Sequence, residues 1–209
     1  MGLEKVSHLP QFLLATLSLA LAVTASGTGD YLSPINLRKA KGVQAALYNE
    51  STGELYAQIH YEEFSKRPSR IGFLKVGLPI LTFHELSLRL EAKQANAKIL
   101  LSAIEKTANS GSARYLFGEN VTLTITDGKR DPIKLQAKKA SFCAKGLRFF
   151  GGVELLFPGK KTPFHCESLY LKAEQETNCL SLVTSTGNEF ASIALGGDSK
   201  LVSESAAAA

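Results

Sequence analysis

From Val43 onward, apolar and polar residues tend to alternate. Leu55, Ala57, Ile59 and Tyr61 share one parity, as do Leu86, Leu88, Leu90 and Ala92. Successive side chains of a strand point to opposite faces, so a period of two predicts half-buried β-strands. The alternation is clearest further on. Tyr115, Phe117, Val121, Leu123 and Ile125 stand against Gly118, Asn120, Thr122 and Thr124, and Leu147, Phe149, Val153, Leu155 and Phe157 stand against Arg148, Gly152 and Glu154. Asn49–Gly53, Asp127-Gly128 and Pro158-Gly159 carry turn chemistry between these runs. Gly151-Gly152 reads as a bend within a strand. Ala92–Ala108 dissents: it is rich in helix formers, with Ile99, Leu100, Ala103 and Ile104 at helical spacing, and both a helix and a strand pair remain open there.

The chain also repeats itself. Phe117–Leu123 (FGENVTL) is followed by Gly128, Pro132-Ile133, Leu135 and Ala137, while Phe150–Leu155 (FGGVEL) is followed by Gly159, Pro163-Phe164, Cys166 and Ser168. Leu88–Ala95 resembles Ile133–Ala140 and predicts the second half of an earlier copy. Each unit has the pattern of a β-hairpin. A single hairpin cannot bury its apolar face, so successive hairpins are expected to share one core. The expected fold is all-β, an open two-sheet β-jellyroll (β-taco) built of hairpin repeats, with Phe117, Val121, Leu123, Phe149, Val153 and Leu155 on its inner faces.

The ends of the chain differ from this body. Val6–Gly29 holds no charged residue, and Phe12–Val23 is apolar or small throughout, which predicts an N-terminal apolar helix acting as a targeting segment. A cleaved signal peptide and an uncleaved single-pass anchor both fit, and either sends the remainder across a membrane. A first core helix is the third reading. Residues 1–30 are thus expected to be the signal or anchor with its linker, 37–195 the β domain and 196–209 a disordered tail.

A hydrophobic content of 44% with 21% charged residues excludes a disordered chain, and the net charge of +5 is scattered, with Lys138-Lys139 and Lys160-Lys161 as the doublets of the body. Those lysines suit either lipid phosphates or simple solvation. Nucleic acid is not expected, because no basic helix or aromatic-interleaved stripe occurs. The three cysteines Cys143, Cys166 and Cys179 permit one disulfide of open connectivity. Together with the widely spaced histidines they form no zinc pattern, so no metal and no cofactor are expected. No GxSxG, HExxH, P-loop or GxGxxG motif is present, and Glu62-Glu63, adjacent on a strand, are expected to face opposite ways. The expectation is a binding protein rather than an enzyme.

The units around Phe117–Val121 and Phe149–Val153, each followed by a glycine and a ladder strand, resemble the lipopolysaccharide-transport β-jellyroll family (OstA-like). With the apolar N-terminus, linker and Gly53–Ala57 (GELYA), the resemblance spans Leu37–Leu195 and is nearest to the inner-membrane-anchored branch. It implies transport of lipopolysaccharide, whose acyl chains lie in a hydrophobic groove while edge strands pair with other β-jellyroll bridge proteins and an inner-membrane transporter complex. The groove residues implied are Leu88, Leu90, Phe117, Val121, Leu123, Ile133, Leu135, Phe149, Val153, Leu155 and Phe164. The location implied is the periplasmic face of the inner membrane, or the soluble periplasm if the signal is cleaved. The competing expectation is an exported structural β protein with a closed core that acts through edge-strand assembly.

Overall fold

The computed structural model describes residues 41–49, 52–68, 70–71, 74–75, 80–93, 101–102, 115–126, 131–143, 146–174 and 176–194. These are mostly strand, which makes the described part all-β as the alternation predicts. The N-terminal apolar segment, the Asp127-Gly128 turn and the C-terminal tail lie outside the described residues. Of Ala92–Ala108, Leu101 and Ser102 are helical, and most of the remainder likewise lies outside.

The strands are β1 (Lys41–Tyr48), β2 (Leu55–Arg67), β3 (Arg70–Ile71), β4 (Leu74–Lys75), β5 (Ile80–His84), β6 (Ser87–Glu91), β7 (Leu116–Thr126), β8 (Ile133–Cys143), β9 (Gly146–Leu156), β10 (Phe164–Glu174), β11 (Cys179–Thr184) and β12 (Glu189–Ala194). All but the small β3–β4 pair belong to one ten-stranded sheet, in which β5 and β6 lie end to end between β2 and β7. The Asn49–Gly53 turn closes β1 on β2, with Gly53 at φ +70° and its N–H donating to the Asn49 carbonyl. The two sequence repeats are the successive antiparallel hairpins β7–β8 and β9–β10. The third similarity is shared in part: β6 pairs antiparallel with the earlier strand β2, as β8 does with β7, but it runs parallel to the next strand, β7, whereas β8 runs antiparallel to β9.

The inward-facing parity does not run unbroken along the long strands. In β2, Ala57, Ile59 and Tyr61 are buried and then Phe64; in β7, Leu116 and Gly118 and then Val121, Leu123 and Ile125; in β8, Ile133, Leu135 and Ala137 and then Ala140. Between these buried sets two successive residues face away from the core: Glu62-Glu63, Glu119-Asn120 and Lys138-Lys139. The backbone accommodates this with left-handed residues at Glu85 (φ +52°) and Asn120 (φ +50°). In β9 it does so with a bulge at Gly151-Gly152, where both φ values are positive and the register against β8 and β10 slips. The pairing brings these positions into line, so the phase change runs across β2, β5–β6, β7, β8, β9 and β10 as one crease. The expectation for Glu62-Glu63 is corrected here: both acids are exposed, because the crease passes through them.

The crease divides the sheet into two leaves. The first holds β1, β6 and the ends of β7–β10 near Val121, Ala137, Val153 and Cys166; the second holds β5, β11, β12 and the other ends of β7–β10. The leaves face each other. Phe190 of β12 lies alongside Leu182, which pairs with Leu171, so in a flat sheet it would stand about 23 Å along the strand direction from Phe164. The two rings are instead 4.0 Å apart between centroids, and Phe157 lies 5.4 Å from Phe190. Between the leaves sits the main core, formed by β7–β12 with Leu101; a smaller core of Val43, Leu47, Ala57, Ile59, Tyr61, Phe64, Phe83 and Leu116 lies beside it.

Gly146 starts β9 at φ +120°, and a Cβ there would overlap the Leu171 carbonyl oxygen; Gly152 at φ +90° has open space around it. Gly146→Ala is expected to cost more than about 3 kcal/mol, combining strain with a backbone clash, and Gly152→Ala about 1–2 kcal/mol from strain alone. Urea denaturation of both variants checks the order, and equal losses would contradict the close approach at Gly146.

Candidate functional site

Most of the residues expected to line a groove lie on the inner face of the folded sheet. Val121, Leu123, Leu135, Phe149, Val153 and Leu155 are each only 0–1% exposed and Ile133 is buried beside them. Leu88, Leu90 and Phe164 are partly buried at the margin of the same core, and Leu88 and Leu90 touch the smaller core as well. Ten of the eleven expected groove residues thus come together. Phe117 does not: its neighbours Leu116 and Gly118 point inward, and Phe117 faces out, opposite Thr82 and Ser141. Counting by twos from Val121 back to Phe117 crosses the crease at Asn120, where the parity changes. In β9 the extra bulge residue restores the count, which is why Phe149 and Val153 are both inside.

The outer face of the second leaf is the feature that alternation alone does not reveal. Strand register lines up Glu63, His84, Glu119, Lys139, Phe150 and Ser168 in a row beside the crease. A second row holds Ser65, Thr82, Phe117, Ser141, Arg148, Tyr170 and Val183. This face is polar and aromatic together, and it has two parts.

At the β2–β5–β7 end, His84 bridges two strands. Its Nε2 is 3.1 Å from Ser65 Oγ and its Nδ1 is 2.9 Å from Glu119 Oε2. A serine, imidazole and carboxylate in this order can relay a proton, as in nucleophile activation. Here the His84 and Glu119 side chains are 30% and 43% exposed on an open sheet face, so water competes for each contact, and the chain chiefly ties the three strands together. Asn120 adds a hydrogen bond from Nδ2 to Glu85 Oε1 at 2.6 Å, bracing the crease.

At the β8–β9–β10 end, the Arg148 guanidinium lies 5.1 Å from the Phe150 ring centroid and 5.6 Å from that of Tyr170. Both distances fit cation–π contacts.

The cysteines are free and stand apart in the register: Cys143 opposite Gly146, Cys166 opposite Val153, Cys179 opposite Glu174. Among the described residues, no group of His, Cys, Asp and Glu is placed to hold a metal. Burial pushes the Cys166 thiol up, with the Glu167 carboxylate adding to the rise and a backbone hydrogen bond at Ser168 opposing it. Among the described residues, β1 and β12 are the two ends of the sheet order, each paired on one side; Tyr48 on β1 is 58% exposed. No helix among the described residues is long and apolar enough to cross a membrane.

Tyr61 is 2% exposed, its hydroxyl has no hydrogen-bond partner, and burial raises its pKa above the ordinary tyrosine value. Tyr61→Phe removes an unsatisfied buried group and is expected to raise stability by about 1 kcal/mol. Because the folded pKa exceeds the unfolded one, the Tyr61 contribution is complete below about pH 10 and is lost as pH rises through the folded value. Denaturation from pH 8 upward therefore tests the assignment: the wild type should lose more stability than Tyr61→Phe at the alkaline end, and parallel curves would refute it. Compared with protein-family models, curated proteins and solved structures, the chain matches none.

Proposed function

We propose that the protein is a lipopolysaccharide transport component similar to lipopolysaccharide export system protein C, with the finer architecture of an open two-sheet β-jellyroll. In this reading the apolar N-terminus tethers or exports it at the periplasmic face of the inner membrane. It receives acyl chains from an inner-membrane transporter complex and hands them to other β-jellyroll bridge proteins through β1 or β12. The observation that carries the reading is a single sheet folded into two apolar-faced leaves whose end strands β1 and β12 do not pair with each other. Such a fold offers apolar surface between its leaves and backbone groups at its edges. Acyl chains gain about 25 cal/mol per Å2 of apolar surface removed from water, and an edge strand extends a sheet into its neighbour.

The sealed residues at the centre of the core favour a specific path. Val121, Leu123, Leu135, Phe149, Val153 and Leu155 serve as packed walls, and acyl chains enter along the margin, where Leu88, Leu90, Tyr56 and Phe142 remain partly open between the two cores. The same sealing favours the second reading, an exported structural β protein whose closed core supports edge-strand assembly.

Photo-crosslinking in cells separates the two. A photoreactive residue at Leu88 or Leu90 is expected to capture lipopolysaccharide, detected by immunoblot, while Arg89 on the opposite face and sealed Val153 stay silent. No adduct at Leu88 or Leu90 in folded, exported protein would sink the transport reading and leave the closed assembly protein.

A further inference from the structure

The outer face of the second leaf holds an unpaired charge. Arg148 projects from β9 with its Nε sealed from solvent and without a hydrogen-bond partner, and the Phe150 and Tyr170 rings are its recorded contacts. No ion pair involves it among the described residues. A guanidinium carries five donors; the sealed Nε is closed to anything in solution, so an incoming acceptor would meet the terminal Nη groups of this half-buried side chain.

The surroundings say what the acceptor is. Ser141 stands opposite Arg148 on one side and Tyr170 on the other, while Lys139, exposed and without an ion-pair partner among the described residues, stands opposite Phe150 on the same face. Of the two carboxylates of that row, Glu119 is drawn to His84 and Glu63 stands at the far end, on β2. Glu154 lies in the other leaf facing His165, and Glu167 sits at the crease. Two cations and a hydroxyl therefore border Phe150 without a neutralising acid between them. One carboxylate would satisfy Arg148 alone, whereas a phosphate monoester carries up to two charges and accepts a guanidinium fork together with an ammonium. The rings flanking Arg148 offer flat apolar surface to the C–H face of a sugar.

We infer that Arg148 and Lys139, with Phe150 and Tyr170, form a binding site for a sugar phosphate on the outer face of the second leaf. The site is separate from the inner apolar face and does not depend on its carrying lipid. A soluble sugar phosphate and the phosphorylated sugar of a glycolipid present the same chemistry to it.

Titration of the full chain with glucose 1-phosphate, followed by amide and guanidinium NMR shifts, tests the site. Saturable binding centred on Arg148 and Phe150 is expected, weakened roughly tenfold in Arg148→Lys, which keeps the charge and loses the fork, and roughly threefold or more in Lys139→Gln. Inorganic phosphate should bind more weakly than the sugar phosphate, since it leaves the rings uncovered. Sedimentation with phosphatidylcholine vesicles carrying lipid A identifies the source: Arg148-dependent capture supports a glycolipid headgroup, and glucose 1-phosphate binding without capture supports a soluble ligand. Equal affinity for benzoate, or glucose 1-phosphate binding unchanged in both Arg148→Lys and Lys139→Gln, would overturn the site. Lys139→Gln alters an exposed side chain, so that arm stands even if an Arg148 variant fails to fold.

Discussion

Everything in this structure depends on the crease. A strand whose inward residues keep one parity from end to end belongs to a sheet with a single inner face, and a large sheet of that kind leaves one side of its apolar surface uncovered. Here six adjacent strand positions change phase along one line, at Glu62-Glu63, His84-Glu85, Glu119-Asn120, Lys138-Lys139, Gly151-Gly152 and Glu167-Ser168. Two successive residues on most of these strands, and three on the bulged β9, separate the inward sets and turn the inner faces of both leaves toward each other. The residues used follow from that geometry: most are charged or hydrogen-bonding, since most are exposed or half-buried, Ser168 being the buried exception, and β9 supplies glycines because its bulge needs positive φ twice.

Once folded, the leaves hold each other through contacts distant in sequence. Phe190 on Phe164 and Phe157 closes the far ends, and residues such as Leu169, Leu171, Leu180 and Leu182 in the second leaf share one buried cluster with Val121, Leu135 and Leu155 in the first. Leu86 locks the crease from within: its carbonyl accepts from the Thr122 N–H, and its side chain fills the space that a Cβ on Gly118 would occupy. Larger side chains at Gly118 would compete with Leu86 and loosen the bend.

The fold thus separates two kinds of surface. The inner faces are apolar and, over the β7–β10 hairpins, sealed; they open at the margin around Leu88 and Leu90. The outer face of the second leaf is polar and aromatic, with a hydrogen-bonded relay at one end and an unpaired arginine between rings at the other. The crease allows one sheet to present both kinds of surface on opposite sides.

Much of this was legible in the chain. Period-two alternation gave the strands, because burial on one face of a pleated ribbon is a local property. The paired units at Phe117 and Phe150 gave two hairpins, and the Asn49–Gly53 and Pro158-Gly159 turns lie where turn chemistry put them. Of the six residues expected on the inner faces, all but Phe117 are buried there. What alternation could not show is where the phase changes: a doublet such as Glu62-Glu63 or Lys138-Lys139 reads as an ordinary solvated pair until its neighbours across the sheet carry doublets at the same level. Phe117 was misplaced for that reason. The similarity of Leu88–Ala95 to Ile133–Ala140 goes with an antiparallel pairing in both, β6 on β2 and β8 on β7, and the parallel pairing of β6 with β7 is what the local pattern does not show. The isolation of Arg148 is a tertiary fact as well, since it depends on which strands lie beside β9 and where their carboxylates go, and no single stretch of sequence holds that information.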